Sequence, residues 1–352
     1  MLQSNKHWWI RRTKYPKQKK NMPIYISSIA HFVPPDVFTN SYFEDKVDTT
    51  DEWIKTRTGI SERRFLTEGH LSDLLLPAVE QCLKERGIGP EEIDCVIVAT
   101  ITPDNRFPSA SATLQAKAGM VNAWGYDMSA ACSGFLYGLM TGAGLITGGT
   151  CKKVLVCGGD KMSSILNFKD RTTCILFGDG GGVALLESTE DDSIGIQDSI
   201  LRMDGKGGQF LYMSDHGDGA KAPFEEYPDE IKEHYVIQDG QSVFKSAVVG
   251  MADVSAEIME RNALSADDIS WLVPHQANLR IIDATARRMG LDPSKVIINI
   301  DKYGNTTAGT IPICLSELHH EGKLKYGDKV ILASFGAGFT WGSILLTWGI
   351  KS

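Results

Sequence analysis

Residues 90–98, PEEIDCVIV, are echoed by residues 266–274, ADDISWLVP: an acidic turn runs into an apolar, strand-like segment in both. A second pair lies at the same distance, KKVLVCGG (152–159) and DKVILASFG (328–336). Pro90 to Ala266 spans 266 − 90 = 176 positions, and Lys153 to Lys329 spans 329 − 153 = 176. One offset shared by two segments marks a duplicated half-chain. Each half reads as acidic turn, apolar strand, helix-like segment and short Lys-Val strand. The strands are continuous apolar runs, as in sheets covered on both faces. The fold class expected is therefore α/β, built from two duplicated halves.

The totals suit that reading. The chain has 352 residues, 42% hydrophobic and 23% charged, which is ordinary globular composition. A net charge of −8 excludes a general nucleic-acid binder. Residues 1–21 differ: they hold seven Lys/Arg and no acid, so the remainder carries −8 − 7 = −15. They lack the apolar core of a signal peptide. We expect a disordered basic tail, or an upstream start, because Met22 directly precedes the strand-like PIYISSIAHFVP. Cysteines stand at 82, 95, 132, 151, 157, 174 and 314, with no CxxC pair and no His cluster of zinc spacing. That pattern predicts reduced thiols in the cytoplasm and no metal site. The uncharged runs 128–151 and 333–350 have the length of membrane spans, but both are rich in Gly, Ser and Thr. They read as buried core rather than lipid-facing helix.

Cys132 lies in DMSAACSGFLYGLM (127–140), among small residues that would let a thin substrate reach the sulfur. The offset carries Cys132 onto Ala308 (132 + 176), inside YGNTTAGTIPICLSEL (303–318). In both places a small-residue turn leads into an apolar helix. Asn305 and Thr306 are candidate caps for the second helix, and Pro312 sits early in it, where a missing N–H costs least. If the two helices pack centrally, their starts bring Cys132 and Asn305 together. A Cys at a helix start has its thiolate favoured by backbone N–H groups and the helix dipole. It is then a nucleophile suited to a thioester.

His275, in WLVPHQANLRII (271–282), ends an apolar strand, where α/β proteins build their sites. On its own, such a His fits a capped structural residue equally well. SFGAGFTWG (334–342) is a glycine-rich turn between two apolar strands. It either aims a backbone N–H at an oxyanion or simply closes a hairpin. FGDGGG (177–182) has no Walker lysine and no GxGxxG setting, and reads as a structural turn before VALLES.

Cys132 in SAACSG, His275 in PHQANLRI and Asn305 in YGNTTAG together resemble the Cys-His-Asn triad of the β-ketoacyl-acyl-carrier-protein synthase III family. The resemblance runs from Met22 to the C-terminus. It takes in VDTTDEWIKTRTGISERR (47–64), RFPSASATLQ (106–115) and FGAGFTWGS (335–343). It implies a thiolase-like, five-layered αβαβα fold with halves at 22–195 and 196–352, and a homodimer. It implies the initiating condensing step of type II fatty-acid synthesis, with no cofactor. An acyl-CoA, expected to be acetyl-CoA, acylates Cys132; malonyl-acyl-carrier protein then condenses with loss of CO2.

The resemblance assigns further roles. His275 and Asn305 would stabilise the enolate. The backbone N–H groups of Cys132 and Ala337 would form the oxyanion hole; the family often has glycine at the second place, but the role needs only an N–H. Trp53 and Arg171 would sandwich the adenine of CoA, Arg57 would meet its phosphates, Thr49 the base and Asn278 the pantetheine arm. Phe107 would cross the dimer to floor the partner's acyl pocket, and Phe335 would lie over the cysteine. Lys245, Arg280, Arg287 and Arg288 would dock the acidic carrier protein; an ordinary solvated helix face is the plainer reading of these four. The alternatives are a ketosynthase priming polyketide or other secondary-metabolite synthesis, and a thiol acyl-CoA hydrolase. A degradative thiolase would need a second catalytic cysteine in a glycine-rich setting, which Cys314 lacks. A non-catalytic partner subunit would typically have lost the nucleophile.

Overall fold

A computed structural model describes residues 23–213 and 235–351; the basic tail expected at 1–21 lies outside the described residues. Two sheets carry a mixed α/β fold. The first is formed by β1 (Ile24–Phe32), β2 (Cys95–Ala99), β3 (Trp124–Met128), β4 (Val154–Asp160) and β5 (Gly180–Ser188), in the order β1-β5-β4-β2-β3. The second is formed by β6 (Gly195–Met203), β7 (Trp271–Pro274), β8 (Lys329–Gly336) and β9 (Thr340–Thr347), in the order β7-β8-β9-β6. The β2–β4 pair is parallel, as is the β7–β8 pair; β4–β5 and β8–β9 are antiparallel.

The helices that frame the site are α1 (Asp51–Thr58), α2 (Leu71–Arg86), α3 (Ala110–Lys117), α4 (Gly134–Thr147), α5 (Gly240–Arg261), α6 (Leu279–Met289) and α7 (Thr310–His320). The offset read from the sequence recurs in the elements. Strands β2 and β7 start at Cys95 and Trp271 (271 − 95 = 176), and helices α4 and α7 start at Gly134 and Thr310 (310 − 134 = 176).

Helices α4 and α7 are apolar because they are covered on several sides. α4 packs on β4, β5 and β2, and α7 on β1 and β5. Leu136 and Leu139 of α4 and Leu315 and Leu318 of α7 share one core with Val154, Val156, Leu332 and Ile344 from both sheets. Outside this centre, α2 covers β1 and β5, while α5 covers β8 and β9 and packs against α6. Glycines in α4 set how close it lies: a Cβ at Gly138 would come within 2.8 Å of Val156 Cγ1. The uncharged run 128–151 is thus largely α4, and 333–350 is largely β8 and β9. Among the described residues no helix is long and apolar enough to cross a membrane. Within FGDGGG, Gly180–Gly182 begin strand β5 rather than a turn, because α2 and α7 press onto their Cα atoms. A Cβ at Gly181 would meet Leu75 at 2.5 Å, and one at Gly182 would meet Pro312 at 2.8 Å.

Candidate active site

Cys132 sits in a short 3-10 turn, Ala131–Ser133, that feeds α4. Ala131 ahead of it holds left-handed backbone at φ 46°. The second half of the chain grips this turn. Ser334 Oγ donates to the Cys132 carbonyl at 2.8 Å, Thr340 Oγ1 donates to the Ala130 carbonyl at 2.9 Å, and Ser133 Oγ donates to the Thr340 carbonyl at 3.0 Å. The close approach explains a glycine: a Cβ at Gly336 would lie 2.8 Å from the Cys132 nitrogen. Cys132 is 7% exposed and lines a cavity of about 640 Å³ together with Met128, Ala131, Thr307, Ala337 and Gly338.

The thiol is not poised as a thiolate. Burial, with the nearby Asp160 charge second, pushes it up to about 12. Only the residue's own backbone N–H works the other way. A helix start by itself lowers a thiol pKa, but here removal from water outweighs it.

His275 directly follows β7 and continues its ladder, donating its N–H to the Ala333 carbonyl at 2.7 Å. The ring is 1% exposed, and burial lowers its pKa to about 3, so it is neutral. Its Nδ1 lies 2.7 Å from Thr310 Oγ1, and its Nε2 is buried with no hydrogen-bond partner among the described residues. Asn305 is pinned by its backbone, donating to the Leu176 carbonyl at 2.9 Å and accepting from Gly178 N at 3.1 Å. Its Oδ1 accepts the Thr307 N–H at 2.8 Å, which leaves the amide's donor end uncommitted to that bond. Thr306 makes no side-chain cap, because a 3-10 turn, Thr307–Gly309, intervenes before α7.

The two turns adjoin: a Cβ at Gly134 would stand 3.6 Å from Ala308 Cβ. Thr307 reaches the Cys132 cavity, Asn305 holds the Thr307 N–H, and His275 is tied to Thr310 one turn further on.

Asp160 has no obvious sequence signal beyond ending an apolar strand with a charge. It is fully buried, and its Oδ1 accepts from Thr100 Oγ1 (2.7 Å), Ile101 N (2.8 Å), Thr102 N (3.1 Å) and Thr102 Oγ1 (2.9 Å). Its Oδ2 meets the Thr307 hydroxyl. Thr310, Ser334 and Thr340 were equally silent in the sequence, since each acts across the fold.

A second group forms around α1. Thr50 caps that helix through Trp53 N, at 3.1 Å. The Trp53 ring has the Arg57 guanidinium at 4.8 Å and the Arg171 guanidinium at 4.9 Å. Arg171 Nη1 donates to the Asp48 carbonyl at 2.6 Å. Asn278 caps α6 through Arg280 N and donates its Nδ2 to the Arg57 carbonyl at 2.9 Å. The Thr49 hydroxyl is buried without a partner among the described residues.

Phe335 lines a separate cavity of about 190 Å³ with Phe210, Phe339 and Trp341. Its strand neighbour Ser334 faces Cys132, and the alternation of a strand turns Phe335 to the α5 side, where Gly250 makes room for it. Phe107 is 86% exposed. Lys245 on α5 and Arg280, Arg287 and Arg288 on α6 are exposed on neighbouring helices. Arg280 lies 4.9 Å over the Phe244 ring, and Arg288 pairs with Asp253 at 3.2 Å.

Residues 126–205 match the family 3-oxoacyl-[acyl-carrier-protein (ACP)] synthase III, and residues 259–348 match its C-terminal family. Cys132 falls in the first segment, His275 and Asn305 in the second. The chain is similar to the β-ketoacyl-[acyl-carrier-protein] synthase III of Chlorobium luteolum, 52% identical over 92% of this chain and 98% of the relative. It is also similar to synthase III 2 of Bacteroides thetaiotaomicron, 48% identical over 92% of this chain and 96% of the relative. Among solved structures, 3-oxoacyl-[acyl-carrier-protein] synthase III from Aquifex aeolicus superposes with a TM-score of 0.85 at 38% identity, covering 92% of this chain and 100% of that one.

Proposed function

The chain belongs to the β-ketoacyl-[acyl-carrier-protein] synthase III family and is an acyltransferase, the initiating condensing enzyme of fatty-acid synthesis; from that premise we propose which residues carry each step. The Cys132 sulfur attacks the thioester carbonyl of an acyl-CoA, acetyl-CoA in our reading. The thiol proton leaves with coenzyme A as its thiol, and an acyl-Cys132 thioester remains. The N–H groups of Cys132 and Ala337 receive the tetrahedral oxyanion. Malonyl-acyl-carrier protein then binds and loses CO2, and the electron pair of the broken C–C bond becomes an enolate. Its carbon attacks the acyl group. Cys132 departs as thiolate, takes up a proton, and 3-oxoacyl-acyl-carrier protein is released.

His275, through Nε2–H, and Asn305, through Nδ2–H, donate to the thioester oxygen as it gains charge. A buried, neutral imidazole suits that task, because a hydrogen bond to an oxyanion is strongest away from water. One observation carries the reading. Cys132 from the first half shares a cavity with Thr307 and Ala337 from the second; Asn305 is hydrogen-bonded to Thr307 in the turn, and His275 to Thr310, which opens the helix that follows it.

Trp53, Arg57, Arg171, Thr49 and Asn278 hold CoA in this reading. Two stacking distances amount to about 7 Å, so the Arg171 guanidinium, now 4.9 Å from the Trp53 ring, must lift for a base to enter. Lys245, Arg280, Arg287 and Arg288 steer the acidic carrier by charge. Phe335, which lines the separate cavity on the α5 side rather than the Cys132 cavity, is not placed over the sulfur in this reading. Two copies pair along β3, an edge strand with Trp124 exposed, so that Phe107 of each enters its partner. The sheets and helices stack as five layers, α2 and α5 outermost and α4 with α7 between the sheets, in halves meeting near residue 195. Seven free cysteines support a cytoplasmic setting.

Intact mass tests the assignment. Acetyl-CoA should leave an acetyl adduct on wild type and none on Cys132→Ser, and malonyl-carrier should discharge it as 3-oxoacyl product. Discharge by water alone would overturn the assignment in favour of a hydrolase.

A further inference from the structure

Among the described residues, His275 is held at one ring nitrogen only. A neutral imidazole carries one N–H, and the partner of one nitrogen decides which nitrogen bears it. Here that partner is the Thr310 hydroxyl, which has one hydrogen and two acceptors in reach: His275 Nδ1 at 2.7 Å and the Thr307 carbonyl at 3.1 Å. The Thr307 carbonyl already accepts the Thr310 backbone N–H. Among the described residues Nδ1 has no other hydrogen-bond partner, and a buried lone pair without a donor is costly. The shorter contact is also the one to Nδ1.

The duplication sharpens the point. Counting back 176 from His275 and Thr310 gives Ala99 and Gly134 (275 − 176 and 310 − 176). A Cβ built on Gly134 stands 3.0 Å from Ala99 Cβ, so the same two places touch in the first half, without polar side chains. The hydroxyl therefore accompanies the imidazole. Among the described residues no carboxylate is hydrogen-bonded to the ring: its one side-chain partner is Thr310, and burial lowers its pKa.

We infer that the Thr310 hydroxyl donates to His275 Nδ1 and so keeps the imidazole proton on Nε2, making Thr310 a positioning residue for the condensation half-reaction. The inference rests on the reading of His275 as an enolate donor. With the hydroxyl turned to Thr307 instead, Nδ1–H would donate to Thr310 and Nε2 would present a lone pair. A lone pair repels the enolate oxygen that Nε2–H would bind.

The test uses the full chain labelled with ¹⁵N-histidine. At neutral pH the His275 signals should report a bare Nδ1 and a protonated Nε2; the opposite tautomer overturns the proposal. Thr310→Val removes the hydroxyl at nearly constant volume. It should slow discharge of acetyl-Cys132 by malonyl-carrier about tenfold to hundredfold, somewhat less than losing an oxyanion donor outright. The loss should fall on that step rather than on acetylation, and Thr310→Ser should restore the rate. A Thr310→Val enzyme that condenses at the wild-type rate overturns the role of Thr310. Should Thr310→Val fail to fold, the wild-type tautomer decides. Full decarboxylation by His275→Ala would instead overturn the reading of the site itself.

Discussion

Ala131 and Thr307 stand 307 − 131 = 176 residues apart and hold the same left-handed backbone, at φ 46° and 51°. Each opens the short turn that feeds a central helix, and between them they shape the Cys132 cavity. An L-residue in this region costs about 1–2 kcal/mol, which the surrounding structure must offset. Ala131→Gly should therefore leave stability within about 1 kcal/mol of wild type and preserve acetylation of Cys132. Ala131→Val, β-branched at positive φ, should cost about 1–3 kcal/mol and slow acetylation, since Cys132 is the next residue. Denaturant unfolding and intact mass would read the two effects; a stable, fully active Ala131→Val would contradict the link.

Asp160 bears on the same sulfur through charge. Its Oδ1 accepts four hydrogen bonds, a set that an asparagine oxygen can retain. Asp160→Asn removes the negative charge that helps to hold the Cys132 thiol up at about 12. The expected outcome is faster alkylation of Cys132 by iodoacetamide, with its pH profile moved to lower pH. The adduct must be read on the Cys132 peptide, because six other cysteines are present. An unmoved profile would show that desolvation alone sets the thiol.

His275 ties stability to acid. Unfolded, the imidazole takes a proton near 6.5; folded, it does so only near 3. Between those values the unfolded chain binds more protons, so stability falls as pH falls through this window. Above it both states are neutral, and this group contributes no pH dependence. His31 and His319 are lowered by burial in the same direction, so the wild-type slope is shared among them. His275→Asn should flatten the loss of Tm from about pH 7 to pH 5 without abolishing it. An unchanged slope would mean that the ring is already protonated in the fold.

Much of this arrangement is legible in the sequence, for a definite reason. Duplication writes itself as an offset, and the offset alone pairs Cys95 with Trp271 and Gly134 with Thr310 as element starts. Cys132, Asn305 and His275 stand out because each breaks an apolar or small-residue pattern at the end of an element. Asp160 and Thr310 do not, since their meaning lies in partners 147 and 35 residues away. The state of the Cys132 thiol was equally hidden. A helix start is a local signal, whereas the burial that overrides it comes from Ser334, Gly336 and Thr340, contributed by the other half.

Arg171 stacks on the Trp53 ring beside α1. The guanidinium lies 4.9 Å over the indole and is tethered to the Asp48 carbonyl at 2.6 Å, so it covers the surface proposed for the adenine. Entry of the base exchanges one stack for two and breaks the tether. Trp53→Ala removes the platform altogether. Base–aromatic stacking is worth about 1–3 kcal/mol, so KM for acetyl-CoA should rise from roughly fivefold to more than a hundredfold. Arg171→Ala removes one face of the sandwich but also frees the indole, and should raise KM less. Neither change touches the chemistry at Cys132, so kcat at saturating acetyl-CoA and KM for malonyl-carrier should hold. A KM for acetyl-CoA that ignores Trp53→Ala would move the nucleotide off α1 and leave the Trp53–Arg57–Arg171 cluster as a structural clamp on that helix.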